Sequence, residues 1–110
     1  MLQTKQNIMQ LKQNPWIRQP QECDGDYWFN GKILITRNVS ESIPRPFVIQ
    51  IVEEVQRLAV ENKGIDYLIT FKNEEGDTLF FIDQVTRTAL KNGDHPPEHH
   101  YATLMFSWEY

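Results

Sequence analysis

The chain has one cysteine, Cys23, so it cannot build an internal disulfide framework. A reducing, cytoplasmic setting is therefore the expectation. No uninterrupted apolar run approaches the roughly 20 residues that span a bilayer. The opening MLQTKQNIMQLKQNP is polar and glutamine-rich, and it lacks the apolar region and cleavage site of a signal peptide. Basic residues are also short. Eleven Lys and Arg face fifteen Asp and Glu, for a net charge of −4, and they form no cluster. That argues against a phosphate-neutralising face for nucleic acid, while the acidic excess is too mild for a nucleic-acid mimic. Gly25, Gly31, Gly64, Gly76 and Gly93 are isolated, and each suits a turn or a cap, so no glycine loop cradles phosphate. No Gly-x-Ser-x-Gly elbow occurs. Asp24-Gly25-Asp26 lacks the downstream oxygen ligands of a calcium loop.

Alternating apolar segments are what the chain does have. At 110 residues it is sized for one domain with one modest core. Residues 1–13 carry loosely spaced Leu2, Ile8, Met9 and Leu11, a weak helix stopped by Asn14-Pro15. Residues 14–26 read as loop, so residues 1–26 form an arm and loop ahead of a domain over 27–110. Asn30-Gly31 between YWFN and ILIT predicts a hairpin with a type I′ turn over residues 27–37. Pro46 suits a first helical turn, and residues 47–62 carry an apolar stripe of Phe47, Ile51, Val55 and Leu58, widened by Val48, Val52 and Ala59. Glu53 and Arg57 stand at ion-pair spacing, and Gly64 stops the helix. Residues 65–72 and 78–85 alternate around the turn at 73–77, giving a second hairpin. Thr86 opens a helical turn that ends at Gly93. A last strand occupies residues 101–110, with Ala102, Leu104, Phe106, Trp108 and Tyr110 on one face. The resulting order, β-β-α-β-β-β, predicts a two-layer α+β fold with a mostly antiparallel sheet of about five strands under one long helix.

Three groups invite a chemical reading. The first is the run DHPPEHH, which holds all three histidines. Asp94, His95, Glu98, His99 and His100 supply the atom types for zinc or another divalent metal. A polyproline path through Pro96-Pro97 would hold His95 and His99 roughly 12 Å apart at ~3.1 Å per residue. A helical turn started by the prolines would bring them to one side instead. His99 and His100 oppose each other if extended. The bland alternative is a polar loop of exposed, pH-sensitive imidazoles with no cofactor. Cys23 is the second group. Glu22, Asp24 and Asp26 crowd it, which raises a thiol pKa and disfavours nucleophilic chemistry. The third pair, Asp66 and Asp83, interrupts strands. Alternation places both on a solvent face; an inward Asp83 would need a partner such as Arg37 or Arg87. Tyr27, Trp28 and Phe29 form an aromatic triplet that either packs in the core or stacks on single-stranded bases. Exposed Tyr27, Trp28, Trp108 or Tyr110 would suggest protein-binding anchors.

ILITRNV, a helix, Gly76 ahead of LFFID, then Leu90-x-Asn92-Gly93-x-x-Pro96 and a closing ATLMFSWEY resemble a family of small bacterial proteins of unknown function. Its members often occur on plasmids and other mobile elements. The resemblance covers residues 33–110 and includes the final Glu109-Tyr110; HPPEHH falls outside it. It implies no catalytic residues, only an accessory role on a mobile element or phage, such as an inhibitor of host machinery. The leading expectation is therefore a small non-catalytic protein that binds a protein partner or a second copy. The final strand, if it lies at a sheet edge, could pair with that partner. The alternatives are a metal-dependent hydrolase using His95, Glu98 and His99, and a weak single-strand binder through Tyr27, Trp28 and Phe29.

Overall fold

A computed structural model describes residues 13–110; residues 1–12, the bulk of the expected N-terminal helix, lie outside the described residues. The elements run β1 (Ile17–Arg18), β2 (Lys32–Ile35), α1 (Arg37–Ser42), α2 (Arg45–Asn62), β3 (Leu68–Lys72), β4 (Thr78–Asp83), α3 (Arg87–Asn92) and β5 (Tyr101–Phe106). Two 3-10 turns, Pro97–His99 and Ser107–Glu109, flank β5. The five strands form one open sheet in the order β1-β3-β4-β5-β2. All neighbours are antiparallel except β2 and β5, which run parallel. This is the expected α+β architecture.

The long helix forms for the reasons its sequence states. Pro46 sits in the first turn, where its missing N–H costs nothing. Val48, Ile51, Val55 and Ala59 recur at three- and four-residue steps and are buried. Phe47, Val52 and Leu58 flank them, half-buried. The helix ends at Asn62 as expected: Lys63 turns left-handed (φ 54°), and Gly64 behind it (φ 107°) donates its N–H to the Ala59 carbonyl at 2.8 Å. On the solvent side Arg57 pairs with Glu61 at 2.9 Å, not with Glu53. Such an exposed pair contributes only about 0.3–0.5 kcal/mol.

The helix covers one sheet face. Ile69 and Phe71 of β3, Leu79 and Phe81 of β4, and Ala102, Leu104 and Phe106 of β5 point into it and are buried. Each large side chain so buried contributes roughly 1.5–3 kcal/mol. The β3–β4 hairpin closes as its turn residues dictate: the Asn73 side chain accepts the N–H groups of Glu75 and Asp77.

Four local expectations are corrected. Residues 27–37 form no hairpin. Tyr27 exchanges backbone hydrogen bonds with Ile65 at 2.9 and 3.0 Å, and β2 pairs with β5. Tertiary burial of Phe29, 0% exposed against Phe81, overrides the local turn preference of Asn30-Gly31. Residues 14–26 are not all loop: β1 pairs with β3, and Trp16 joins the core edge-on to Phe106, so the folded unit reaches back past the expected boundary at 27. The final strand ends at Phe106, because a 3-10 turn lifts Trp108 and Tyr110 out of the sheet and leaves them 69% and 72% exposed. Finally, β5 lies inside the sheet between β4 and β2, so it offers no free edge.

Candidate functional site

Opposite the helix, the sheet carries a second apolar surface. Leu34, Ile82 and Leu68 lie in one cross-strand row with Thr103, and Met105 and Phe80 lie in the next with Thr70. Alternation places all of them on the face away from α2. Most are half-buried, so they present surface to solvent. Lys32 and Lys72 stand exposed at opposite corners of the same face.

The C-terminal turn sets one exposed aromatic against each side of the sheet: Tyr110 beside the open face and Trp108 beside the core face. The Tyr110 ring meets Phe80 edge-on at 5.9 Å, and Trp108 stacks on Phe106 at 5.4 Å with the planes 9° apart. Glu109 holds the turn in place. Its carboxylate accepts from the Thr36 hydroxyl, the Asn38 amide and the Phe106 N–H, each at 2.8 Å. Partial burial of this carboxylate works against its charge, but the three hydrogen bonds outweigh it and hold the pKa below the usual glutamate value. The two exposed rings are thus presented on an anchored turn.

Tyr27 and Trp28 sit elsewhere. Tyr27 packs edge-on to Tyr67 at 6.1 Å, and the Arg87 guanidinium lies 4.4 Å over the Trp28 ring. Trp28 also donates to Asp26, which accepts from the hydroxyl and N–H of Thr88 at 2.6 and 2.9 Å. Those Thr88 bonds, the largest influence, lower the Asp26 pKa. With Phe29 fully buried, the aromatic triplet forms no continuous stacking surface.

Behind that loop both aspartates are buried rather than on the expected solvent face: Asp66 is 4% and Asp83 2% exposed. Asp83 continues the core face of β4, opposite Ala102. Its partners are not Arg37, which pairs with Glu41, nor Arg87. They are backbone N–H groups of Phe29 and Gln84, each at 2.9 Å. Desolvation nevertheless dominates and raises the Asp83 pKa against those bonds and the nearby His100. Backbone donors satisfy the carboxylate without satisfying its charge.

The histidines part company. Pro96 is extended and Pro97 starts a 3-10 turn, so His95 and His99 come to one small hollow of about 220 Å³ with Gln84, Val85 and Tyr101. His100 turns inward against Gly31, and its Nε2 is buried without a hydrogen-bond partner. Glu98 is exposed on the turn. Two imidazoles fall short of the three protein ligands a catalytic zinc takes. Among the described residues, no group of three or more His, Cys, Asp or Glu is placed to hold a metal ion. The contact between Gly31 and His100 is close enough to test. A Cβ on Gly31 would meet the His100 carbonyl at 2.5 Å and its ring at 2.6 Å. Gly31→Ala is expected to cost about 1–3 kcal/mol in thermal or urea unfolding, as overpacking does; an unchanged midpoint would show that the ring yields.

Cys23 and Asp66 line a separate hollow of about 200 Å³ with Gln19, Tyr67 and Thr70. The thiol pKa is raised as expected, but its hydrogen bond to Asp66 leads, ahead of Glu22 and Asp24. The exposed thiol is thus a poor nucleophile there. Among the described residues, no helix is long and apolar enough to cross a membrane.

No protein-family model, no curated protein and no solved structure matches this chain.

Proposed function

We propose that this protein acts without catalysis, by binding another protein across the open sheet face. The observation supporting this is the conjunction of that apolar face with an anchored, exposed Tyr110 at its rim, next to the exposed Trp108 on the same turn. An apolar sheet face that no helix among the described residues covers is surface of the kind that marks interaction sites. Trp and Tyr are the side chains that most often dominate such contacts. Lys32 and Lys72 at the corners favour a partner whose apolar patch carries carboxylates at its edge. An accessory role on a mobile element, inhibiting host machinery, is one form of this function; it rests on the resemblance of residues 33–110 alone.

The test is affinity capture from extract of the cells that make the protein, comparing the native chain with the pair Trp108→Ala and Tyr110→Ala. Both residues are exposed, so the double variant should keep its unfolding midpoint. The native chain should retain a stoichiometric partner. The variant should lose it by at least about thirtyfold in affinity, the effect of one 2 kcal/mol hot spot. Equal retention by both proteins would overturn the assignment of this face.

A further inference from the structure

The two edges of the sheet are unlike. The β1 edge is two residues long, bracketed by Pro15 and Pro20, and Arg18 is tied to Glu54 at 3.0 Å. Prolines and short length are devices that keep an edge from pairing. The β2 edge has neither proline nor bulge. Lys32 and Thr36 donate to His100 and Leu104 at 3.1 Å, toward β5. In a parallel ladder alternate residues face the partner, so the N–H and C=O groups of Ile33 and Ile35 face outward. No strand among the described residues pairs with them. The side chains of the same two residues line an apolar groove of about 600 Å³ between β2 and α2. Val48, Ile49 and Val52 form its helix wall, and Ile49 is 46% exposed.

We infer that this edge and groove are the interface of a two-fold homodimer, in which β2 pairs antiparallel with β2 of a second copy and α2 packs against the second α2. The surface complements itself. With the two-fold axis at Leu34, perpendicular to the sheet, Ile33 of one copy stands opposite Ile35 of the other. Both have outward backbone groups, so each such pair exchanges both hydrogen bonds, and the sheet becomes continuous through ten strands, five from each copy. The two α2 helices then lie on the same side of that sheet and run antiparallel across the axis. Ile49 supplies the matching point in the helix layer. Arg45 lies four residues before it and Glu53 four residues after it, both on the groove and both exposed. An axis at Ile49 therefore puts Ile49 against Ile49, and Arg45 of each copy against Glu53 of the other. Self-complementarity of this kind, residue i on j and j on i, is the requirement of a two-fold contact. Neither Arg45 nor Glu53 forms a salt bridge within the chain among the described residues. This dimer leaves the open sheet face uncovered, so it stands or falls separately from the partner-binding reading.

Sedimentation or light scattering of the purified full chain at about 100 μM tests it, since even a weak micromolar dimer is largely formed there. The native chain should have twice the chain mass. Ile49→Glu, at an exposed position, should give a folded monomer with an unchanged circular dichroism spectrum. Glu53→Arg should weaken the dimer about tenfold by setting like charges face to face, and adding Arg45→Glu to it should restore the native affinity. A monomeric native chain would overturn the inference. So would a dimer indifferent to Ile49→Glu, or a charge swap that fails to rescue.

Discussion

Phe29→Ala is expected to lower stability by about 3–5 kcal/mol, the range for removing a fully buried phenylalanine. The ring is 0% exposed and lies 4.8 Å from Phe81. Its backbone is left-handed at φ 52°, a conformation that costs a side-chain-bearing residue roughly 1–2 kcal/mol. That cost is met because the segment is held at three points. The Phe29 N–H donates to Asp83, its carbonyl accepts from the Gln56 amide at 2.9 Å, and its ring fills the core. Alanine keeps the unfavourable φ and loses the ring. Phe29→Gly also loses the ring but is released from the steric penalty, so it should be no less stable than Phe29→Ala. Urea unfolding of both variants checks this. Phe29→Gly falling well below Phe29→Ala would show that the left-handed backbone carries no strain. Against the 5–15 kcal/mol typical of a domain, the loss is a large share of the whole.

Asp83→Ala is expected to cost about 1–3 kcal/mol. It leaves the Phe29 N–H buried without its acceptor, while the Gln84 N–H keeps the Tyr101 carbonyl at 3.3 Å, and removing a desolvated charge offsets part of the loss. The effect depends on pH with a definite sign. Because burial raises the native pKa of Asp83 above its ordinary 3.8, the folded protein binds a proton more readily than the unfolded chain. Protonated Asp83 therefore contributes most at or below 3.8, and that contribution declines as pH rises through the raised native value. The stability gap between the native protein and Asp83→Ala should be widest in acid and narrow toward neutrality. Asp26 and Glu109, with lowered pKa values, act oppositely: their contributions are present above the ordinary carboxylate range and fade as pH falls through their native values. They are common to both proteins and cancel in the difference. A gap that widened with rising pH would mean that Asp83 is stabilised as the carboxylate.

The helix and the β3–β4 hairpin were legible because their signals are local. Pro46, the apolar spacing of residues 48–59 and the Asn73–Asp77 turn need no distant partner. The parallel pairing of β2 with β5 was not legible, since nothing near Asn30-Gly31 shows that residues 101–106 will take the place beside Ile33. Asp83 follows the alternation of Leu79 and Phe81 onto the core face; what its neighbours in sequence do not show is the partners that accommodate a carboxylate there, backbone groups at Phe29 and Gln84, and Phe29 lies 54 positions away. The open face did leave a trace. Ile33-Leu34-Ile35, Phe80-Phe81-Ile82 and Leu104-Met105-Phe106 are continuous apolar runs, and a run without alternation means that both faces of a strand are apolar. Alternation puts Trp108 and Tyr110 on the strand face of Leu104 and Phe106, whereas the 3-10 turn after Phe106 carries both out to solvent. Of the histidines, sequence spacing allowed two to converge, and His95 and His99 are the two that share a hollow.

Photochemical carbene labelling of the partner-bound protein, compared with the free chain and read residue by residue, addresses the function most directly. Labelling of Trp108, Tyr110, Phe80 and Met105 should fall sharply in the complex, while Cys23, Tyr67 and Trp28 at the other sites stay as they are. Unchanged labelling of the open face, with protection at the Cys23 hollow or around Trp28 instead, would contradict the assignment.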